Sequence, residues 1–477
     1  GGGGGTKEPK SGGGSPPPSQ LAMLSLTLDT NQAGRNFGRS VALSNDCLVV
    51  GVPFSNDPTY RGTVQIFRRS GTNWNLETTL APPGGDSVRL FGFATSIESE
   101  AIVVGAPGIF DTNLFAGAAY VFIRTNGNWV QKAKLVGLNS AGDEFGTAVG
   151  LFRTNIIIGA PGESTGGAHA GGAWIFERNA AGNWLQKSHV LRPGGTTNDY
   201  FGSSVAIRND NAVVGAPRGR GIDVPTARGT AGVVIYAPPF YPWTYYQTLQ
   251  SDYSYAGDFF GASVGISSNR VMVGMPGSLP FNSNDTLRER RAVIVFNRSG
   301  FTWSEAARIR PTPPQPLEMF GASLAFDGSR VTVGAPHDPE FTAGGKGATY
   351  VYDAQGTNWA SLARLQAAGN QTNDAFALSV ALWSDTVVVG SVAQYNSNAM
   401  SGAVHLFDVA PPRLAIANTP NGVRLEWDPA RTDFNLESAA SLAPNAEWLL
   451  VTPAPTNTAH LVQPAGGAKY FRLSKPR

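Results

Sequence analysis

A Phe-Gly pair, or its variant, recurs seven times along the chain: Phe37-Gly38, Phe91-Gly92, Phe145-Gly146, Phe201-Gly202, Phe260-Gly261, Phe320-Gly321 and Phe376-Ala377. Successive pairs stand 54 to 60 residues apart. A fixed period of this length means that each unit is one supersecondary element, which buries its apolar faces only by stacking on its neighbours. Fourteen residues after each Phe comes a glycine (Gly51, Gly105, Gly159, Gly215, Gly274, Gly334, Gly390), and six of the seven open a Gly-x-Pro turn.

Between these landmarks the residues alternate. Ser40-Val41-Ala42-Leu43 is followed by Leu48-Val49-Val50 across a few turn residues, which reads as two strands of a tight hairpin. A third apolar run ends in an aromatic (Phe67, Phe122, Phe176, Tyr236, Phe296, Tyr352, Phe407), and in six units a Trp (Trp74, Trp129, Trp184, Trp243, Trp303, Trp359) then opens a fourth run. Four antiparallel strands repeated seven times predict a seven-bladed β-propeller, which stacks blades around an axis and leaves few edges exposed. Small residues at alternate positions after each Phe, such as Gly146, Ala148 and Gly150, suit an innermost strand. Unit seven ends at Phe407 without a Trp, so Leu24-Ser25-Leu26-Thr27-Leu28 is expected to supply its missing strand and close the ring.

Phe145-Gly146 with Gly159-Ala160-Pro161, and Phe201-Gly202 with Gly215-Ala216-Pro217, resemble FG-GAP repeats, the family of the integrin α-subunit propeller and of many bacterial surface proteins. The resemblance implies a secreted or cell-surface recognition platform. Ligands would meet the face that carries the loops joining strand two to three and strand four to one. It also implies an Asp-rich calcium loop between the first two strands, with oxygen ligands spaced along a D-x-D-x-D-G pattern. Here that place holds Ser44-Asn45-Asp46, Arg208-Asn209-Asp210 or Asp327-Gly328-Ser329, too short to wrap an ion, so no cofactor is expected.

Three segments are expected. Residues 1–20 are rich in Gly, Pro and Ser and read as a flexible linker. The propeller spans 21–409. Residues 410–477 shift to short alternating runs, including Val423 to Trp427, Phe434 to Leu436 and Tyr470 to Leu473, which predict a small β-sandwich. That last segment is similar to fibronectin-III-like modules at the C-termini of bacterial secreted proteins. The predicted fold class is therefore all-β throughout.

Composition narrows the function. Thirty-six basic and 34 acidic residues give a formal net charge of +2 without a long Lys/Arg run, which argues against a nucleic-acid partner. No stretch approaches the ~18 apolar residues of a membrane helix. The single cysteine, Cys47, excludes an internal disulfide framework and reads as a buried small hydrophobe. A monomer, or a part of a longer polypeptide, is expected.

Gly261-Ala262-Ser263-Val264-Gly265 fits the G-x-S-x-G pattern of a hydrolase nucleophile, which requires a strained strand-to-helix turn. The same register reads Gly202-Ser203-Ser204-Val205-Ala206 in unit four, so a strand is expected there instead. His169, His189, His337, His405 and His460 lack metal-ligand spacing. Gly344-Gly345-Lys346-Gly347 lacks the pattern of a phosphate loop. No catalytic or metal residue is assigned.

Functional weight falls on the variable loops, because a rigid scaffold with varied loops is how binding surfaces are displayed. Arg218, Arg220 and Arg228 in unit four and Arg288, Arg290 and Arg291 in unit five form a candidate basic lobe for an anionic glycan. Asp252, Tyr253, Tyr255 and Asp258, in the loop entering unit five, would add polar and stacking groups on the same face. The expected function is non-catalytic recognition of a glycan or an extracellular protein. A propeller polysaccharide lyase or glycosidase, and a purely structural module, are the competing classes. Catalysis would need paired carboxylates or a His/Arg/Tyr cluster at the axial mouth.

Overall fold

The structure, a computed structural model, describes residues 24–27, 36–54, 61–71, 73–84, 88–108, 116–138, 140–221, 224–237, 241–277, 291–311, 319–336, 347–367, 375–392, 402–410, 415–419, 422–426, 435–440, 447–451, 459–462 and 469–474. The expected linker, residues 1–20, lies outside them. Two compact units separate, Ala22–Ala410 and the one that holds Pro411–Arg477. All described regular structure is β, and no described helix is long and apolar enough to cross a membrane.

The larger unit contains four-stranded antiparallel sheets. Unit one has strands Val41–Ser44, Cys47–Val52, Thr63–Ser70 and Asn73–Leu80; unit two has Ala94–Glu98, Ala101–Ala106, Ala118–Thr125 and Asn128–Leu135. Unit three has Ala148–Phe152, Asn155–Ala160, Gly172–Arg178 and Trp184–Val190; unit four has Ser204–Arg208, Asn211–Ala216, Thr230–Ala237 and Tyr241–Leu249. Unit five has Ser263–Ile266, Arg270–Met275, Ala292–Ser299 and Thr302–Ile309; unit six has Ser323–Phe326, Arg330–Ala335, Ala348–Gln355 and Asn358–Leu365. Phe376–Trp383, Thr386–Ser391 and Ala403–Asp408 make a further sheet, whose fourth place is taken by Leu24–Thr27 with Leu24 opposite Leu406 and Thr27 opposite Ala403. The first strand of each sheet lies against the first strand of the next, and Phe376–Trp383 lies against Val41–Ser44. This is the arrangement of propeller blades.

The physical reason for both sequence landmarks lies between the sheets. Within a unit, the amide after the repeat Phe donates to the carbonyl of the Gly-x-Pro glycine, as from Gly38 to Gly51 at 3.1 Å and from Gly202 to Gly215 at 2.9 Å. The carbonyl of that same residue presses on the Gly-x-Pro glycine of the preceding sheet. A Cβ at Gly159 would stand 1.9 Å from the Gly202 oxygen, and one at Gly390 would stand 2.1 Å from the Gly38 oxygen. Only glycine allows that approach. A serine three residues after the Phe completes the contact: Ser40, Ser204, Ser263, Ser323 and Ser379 each donate a hydroxyl to the carbonyl beside the next sheet's repeat Phe, at 2.7 to 2.9 Å. Ser263, the serine of the G-x-S-x-G match, therefore joins two sheets from within a strand.

Each repeat Phe is fully buried. Most pack edge-on against the aromatic that ends the third strand, as in Phe37 with Phe67 at 6.3 Å and Phe145 with Phe176 at 6.4 Å, the geometry that favours aromatic pairs. Beside that aromatic the pairing of strands three and four slips by one residue, for example between Val121 and Phe122 and between Val295 and Phe296. A bulge there sharpens the twist of the outer strands.

The C-terminal unit holds two three-stranded sheets. One pairs Ala415–Thr419, Gly422–Glu426 and Ala459–Val462; the other pairs Leu449–Leu450, Asn435–Ala439 and Tyr470–Ser474. Leu425 from the first and Leu436 from the second meet in one small core with Val423, Val451, Phe471 and Leu473.

Candidate functional site

In a four-stranded antiparallel sheet the two-to-three connections and the four-to-one connections leave by one end, and the hairpins leave by the other. The loop end of units three to five carries rings and guanidiniums in alternation. His169 stacks on Tyr200 with centroids 5.7 Å apart. Arg218 lies 5.3 Å over the Tyr200 ring and 5.8 Å over that of Phe259. Arg228 lies 5.6 Å over Tyr255, and Arg308, near the end of unit five's fourth strand, lies 5.0 Å over Tyr253. Tyr253 and Tyr255 are 54% and 47% exposed, so each offers surface to solvent as well as to its arginine. A guanidinium within about 6 Å of a ring centroid is attracted by the electron-rich face of the ring.

Of the sequence-predicted residues, Arg218, Arg228, Tyr253 and Tyr255 thus enter this surface, and Asp252 is exposed beside it. Asp258 does not. It is buried, and its carboxylate accepts from the Tyr255 amide at 2.7 Å. The same turn forms at Asp143 with the Ser140 amide and at Asp199 with the Thr196 amide, always two residues before the repeat Phe. Asp258 is therefore a turn residue of the repeat, not a solvent-facing ligand group. Arg291 is likewise buried beside Gly277, out of reach of a surface lobe. Arg288, Arg290 and the side chain of Arg220 lie outside the described residues, as do His337 and Gly344 to Lys346.

The residue just before the repeat Phe is held in the left-handed region throughout, with φ from 43° to 60° at Asn36, Leu90, Glu144, Tyr200, Phe259, Met319 and Ala375. This backbone orients the Tyr200 and Phe259 rings that flank Arg218. In units three to five the sequence carries the signal as Asp-x-Phe-Gly, which reads as a structural turn once its hydrogen bond is known.

A second cluster was not legible in the sequence. Glu163, after the Gly-x-Pro turn of unit three, is buried; its Oε1 lies 2.8 Å from His189 Nε2 and accepts from Thr165 Oγ1 at 2.7 Å. Its Oε2 accepts from Trp174 Nε1 at 3.2 Å, while the Trp174 and His189 rings stack 3.9 Å apart. Burial alone would raise the Glu163 carboxyl, but the close His189 imidazole and the hydrogen bonds from Thr165 and Trp174 outweigh it and hold the group below its ordinary value. Arg192 and Asp199 form a buried ion pair at 2.5 Å. The Glu163 cluster pins a loop to its sheet, and the Arg192–Asp199 pair braces from within the loop that leads into unit four.

Cys47 is buried and its thiol is pushed up to about 12, chiefly by that burial, so it stays neutral. Among the described residues, no group of three or more His, Cys, Asp or Glu side chains is placed to hold a metal ion.

Comparison with known proteins follows the same repeat. The family model described as FG-GAP repeat matches residues 24–67, 74–122, 129–176, 184–231 and 359–407. Four of these stretches begin at the Trp of a fourth strand, and the first begins at Leu24, the start of the strand that completes the last sheet. Among solved structures, the crystal structure of a protein from Lactobacillus plantarum is similar at 11% identity and a TM-score of 0.46, over 70% of this chain and 86% of that one. No curated protein matches the sequence. With its motif in five matched places, the chain is an FG-GAP repeat protein.

Proposed function

We propose that residues 21–409 form a seven-bladed propeller, closed by the strand Leu24–Thr27, that serves as a non-catalytic recognition module. Its ligand is an acidic glycan, bound by the loops of units three to five, and its setting is secreted or at the cell surface. The alternation of exposed Tyr253 and Tyr255 with Arg228 and Arg308 is the observation that carries this reading. Sugar rings stack on aromatic faces, and guanidiniums pair with carboxylate or sulfate groups in a bidentate manner. The loops stand on a rigid base, since each sheet is bonded to the next through its serine and glycine. Residues 410–477, proposed as a small sandwich of the fibronectin-III-like kind, act as spacer or attachment. Their two sheets sharing Leu425 and Leu436 support that reading.

Surface plasmon resonance of the purified chain over immobilised acidic and neutral polysaccharides tests the function. Salt-sensitive binding to acidic polymers, reduced at least tenfold by Tyr253→Ala and by Arg218→Ala, is expected. Binding to neutral polymers alone, or to an extracellular protein in place of any glycan, contradicts the ligand assignment.

A further inference from the structure

The hairpin end of the same sheets carries a cavity of about 530 Å3 shared by units three, four and five. Its origin is the tenth residue after the repeat Phe, which opens the second strand. In units five and six that residue is an arginine which crosses to the next sheet. Arg270 donates to the carbonyls of Gly328 at 3.3 Å and Gly356 at 3.0 Å, and Arg330 donates to Ser384 O at 3.3 Å and Asp385 Oδ1 at 2.8 Å. Between units one and two the crossing is made by Arg124, which reaches Glu77 at 2.9 Å. Units three and four hold Asn155 and Asn211 at the position, and both line the cavity. An Asn side chain is too short to span to the next hairpin, so the space that a guanidinium fills elsewhere stays open.

The walls are chemically selective. Arg153 and Arg298 both line the cavity, and neither forms an ion pair among the described residues. Arg298 gives its Nε to the Gly300 carbonyl at 2.7 Å and lies 5.6 Å over the ring of Phe301, which is 56% exposed. Asp210 is the one acid among the lining residues against two arginines, and the Glu98 carboxylate accepts from the Arg153 amide just outside them. Asn209, whose Nδ2 donates to Ser268 Oγ at 3.2 Å, keeps its Oδ1 available as an acceptor.

We propose that this cavity is a binding site for a carboxylated sugar of the hexuronate class. The carboxylate pairs with the guanidiniums of Arg153 and Arg298, the ring packs on Phe301, and hydroxyls are taken by Asn209 and Asp210. A volume of this size lies within the range of small-molecule sites, whose specificity comes from a few placed polar groups beside aromatic rings. The site shares no residue with the loop-end surface and stands at the other end of the strands, so it holds or fails independently of that surface.

The test is calorimetric titration of the full chain with methyl β-D-glucuronide and, separately, methyl β-D-glucoside. Saturable binding of the glucuronide is expected, at least tenfold tighter than that of the glucoside. Asn211→Arg, which places in unit four the side chain that units five and six already accommodate, is expected to fill the cavity and abolish binding without lowering the melting temperature. Arg298→Gln, a second variant that leaves the sheets intact, is expected to weaken the glucuronide at least tenfold. The proposal is overturned by absence of saturable glucuronide binding, by equal affinity for the glucoside, or by full binding in Arg298→Gln.

Discussion

Ser379 Oγ donates a hydrogen bond of 2.7 Å to the carbonyl of Gly38, a residue 341 positions earlier in the chain. It is the same bond that Ser40, Ser204, Ser263 and Ser323 make to the following sheet, here made from the last sheet back to the first. One repeated contact therefore serves both ordinary neighbours and the closing pair.

Removing that bond tests its contribution. Ser379→Ala is expected to lower stability by about 1 kcal/mol, the usual net worth of one intramolecular hydrogen bond, because Ala94 and Ala148 occupy the equivalent place in units two and three without distortion. Deleting residues 24–27, which complete the last sheet, is expected to lower the melting temperature far more. Urea and thermal unfolding followed by circular dichroism measure both.

The glycine contact predicts opposite signs at two positions. Gly159→Ala drives a methyl group into the Gly202 carbonyl and is expected to cost about 3 kcal/mol or more, since backbone on both sides must move. Ala377, the variant residue of the seventh pair, has a φ of 74°, which glycine adopts freely. Ala377→Gly is expected to raise stability by about 1 kcal/mol. Denaturant midpoints at constant m-value decide each case.

Acidification is expected to weaken the fold through His405. Burial lowers its pKa from 6.5 to about 4, so the folded chain keeps it neutral while the unfolded chain takes up a proton. Its contribution is complete above pH 6.5 and is lost as pH falls from there to about 4. His405→Tyr, which copies Tyr120 and Tyr350 at the same place in units two and six, is expected to flatten stability over that interval. Glu163 acts lower on the scale: its carboxyl is held below 4.5, so its contribution is present above that value and fades below it. Unfolding free energy against pH for wild type, His405→Tyr and Glu163→Gln separates the two.

A tyrosine and an aspartate of one loop are expected to behave differently. Tyr253→Ala is expected to reduce glycan binding at least tenfold with an unchanged melting temperature, because its ring is exposed. Asp258→Ala is expected to cost about 1 to 3 kcal/mol of stability, because it removes the acceptor of the Tyr255 amide. Paired binding and melting measurements on the two variants distinguish a ligand group from a turn residue.

The repeat itself was legible because its spacing reports backbone contacts that every unit must make: Phe-Gly and Gly-x-Pro meet between sheets, and a constant contact leaves a constant offset. The candidate site was legible only in part. Arg218, Arg228, Tyr253 and Tyr255 stood out as unusual loop content. Asp258 and Arg291 carry the same residue types but are buried, and charge alone does not tell an exposed loop position from a turn position. Glu163 and His189 meet across two strands at different distances from the landmarks, so no local pattern announces them. The hairpin-end cavity was invisible for a related reason: it arises from what Asn155 and Asn211 fail to reach, which shows only beside Arg270 and Arg330 in place.

The most direct test of recognition as the function is a glycan array of the full chain, with reducing-end release measured on the strongest hits. Binding of acidic glycans without release, lost in Tyr253→Ala, is the result predicted here. Release of new reducing ends would contradict it and make the propeller an enzyme.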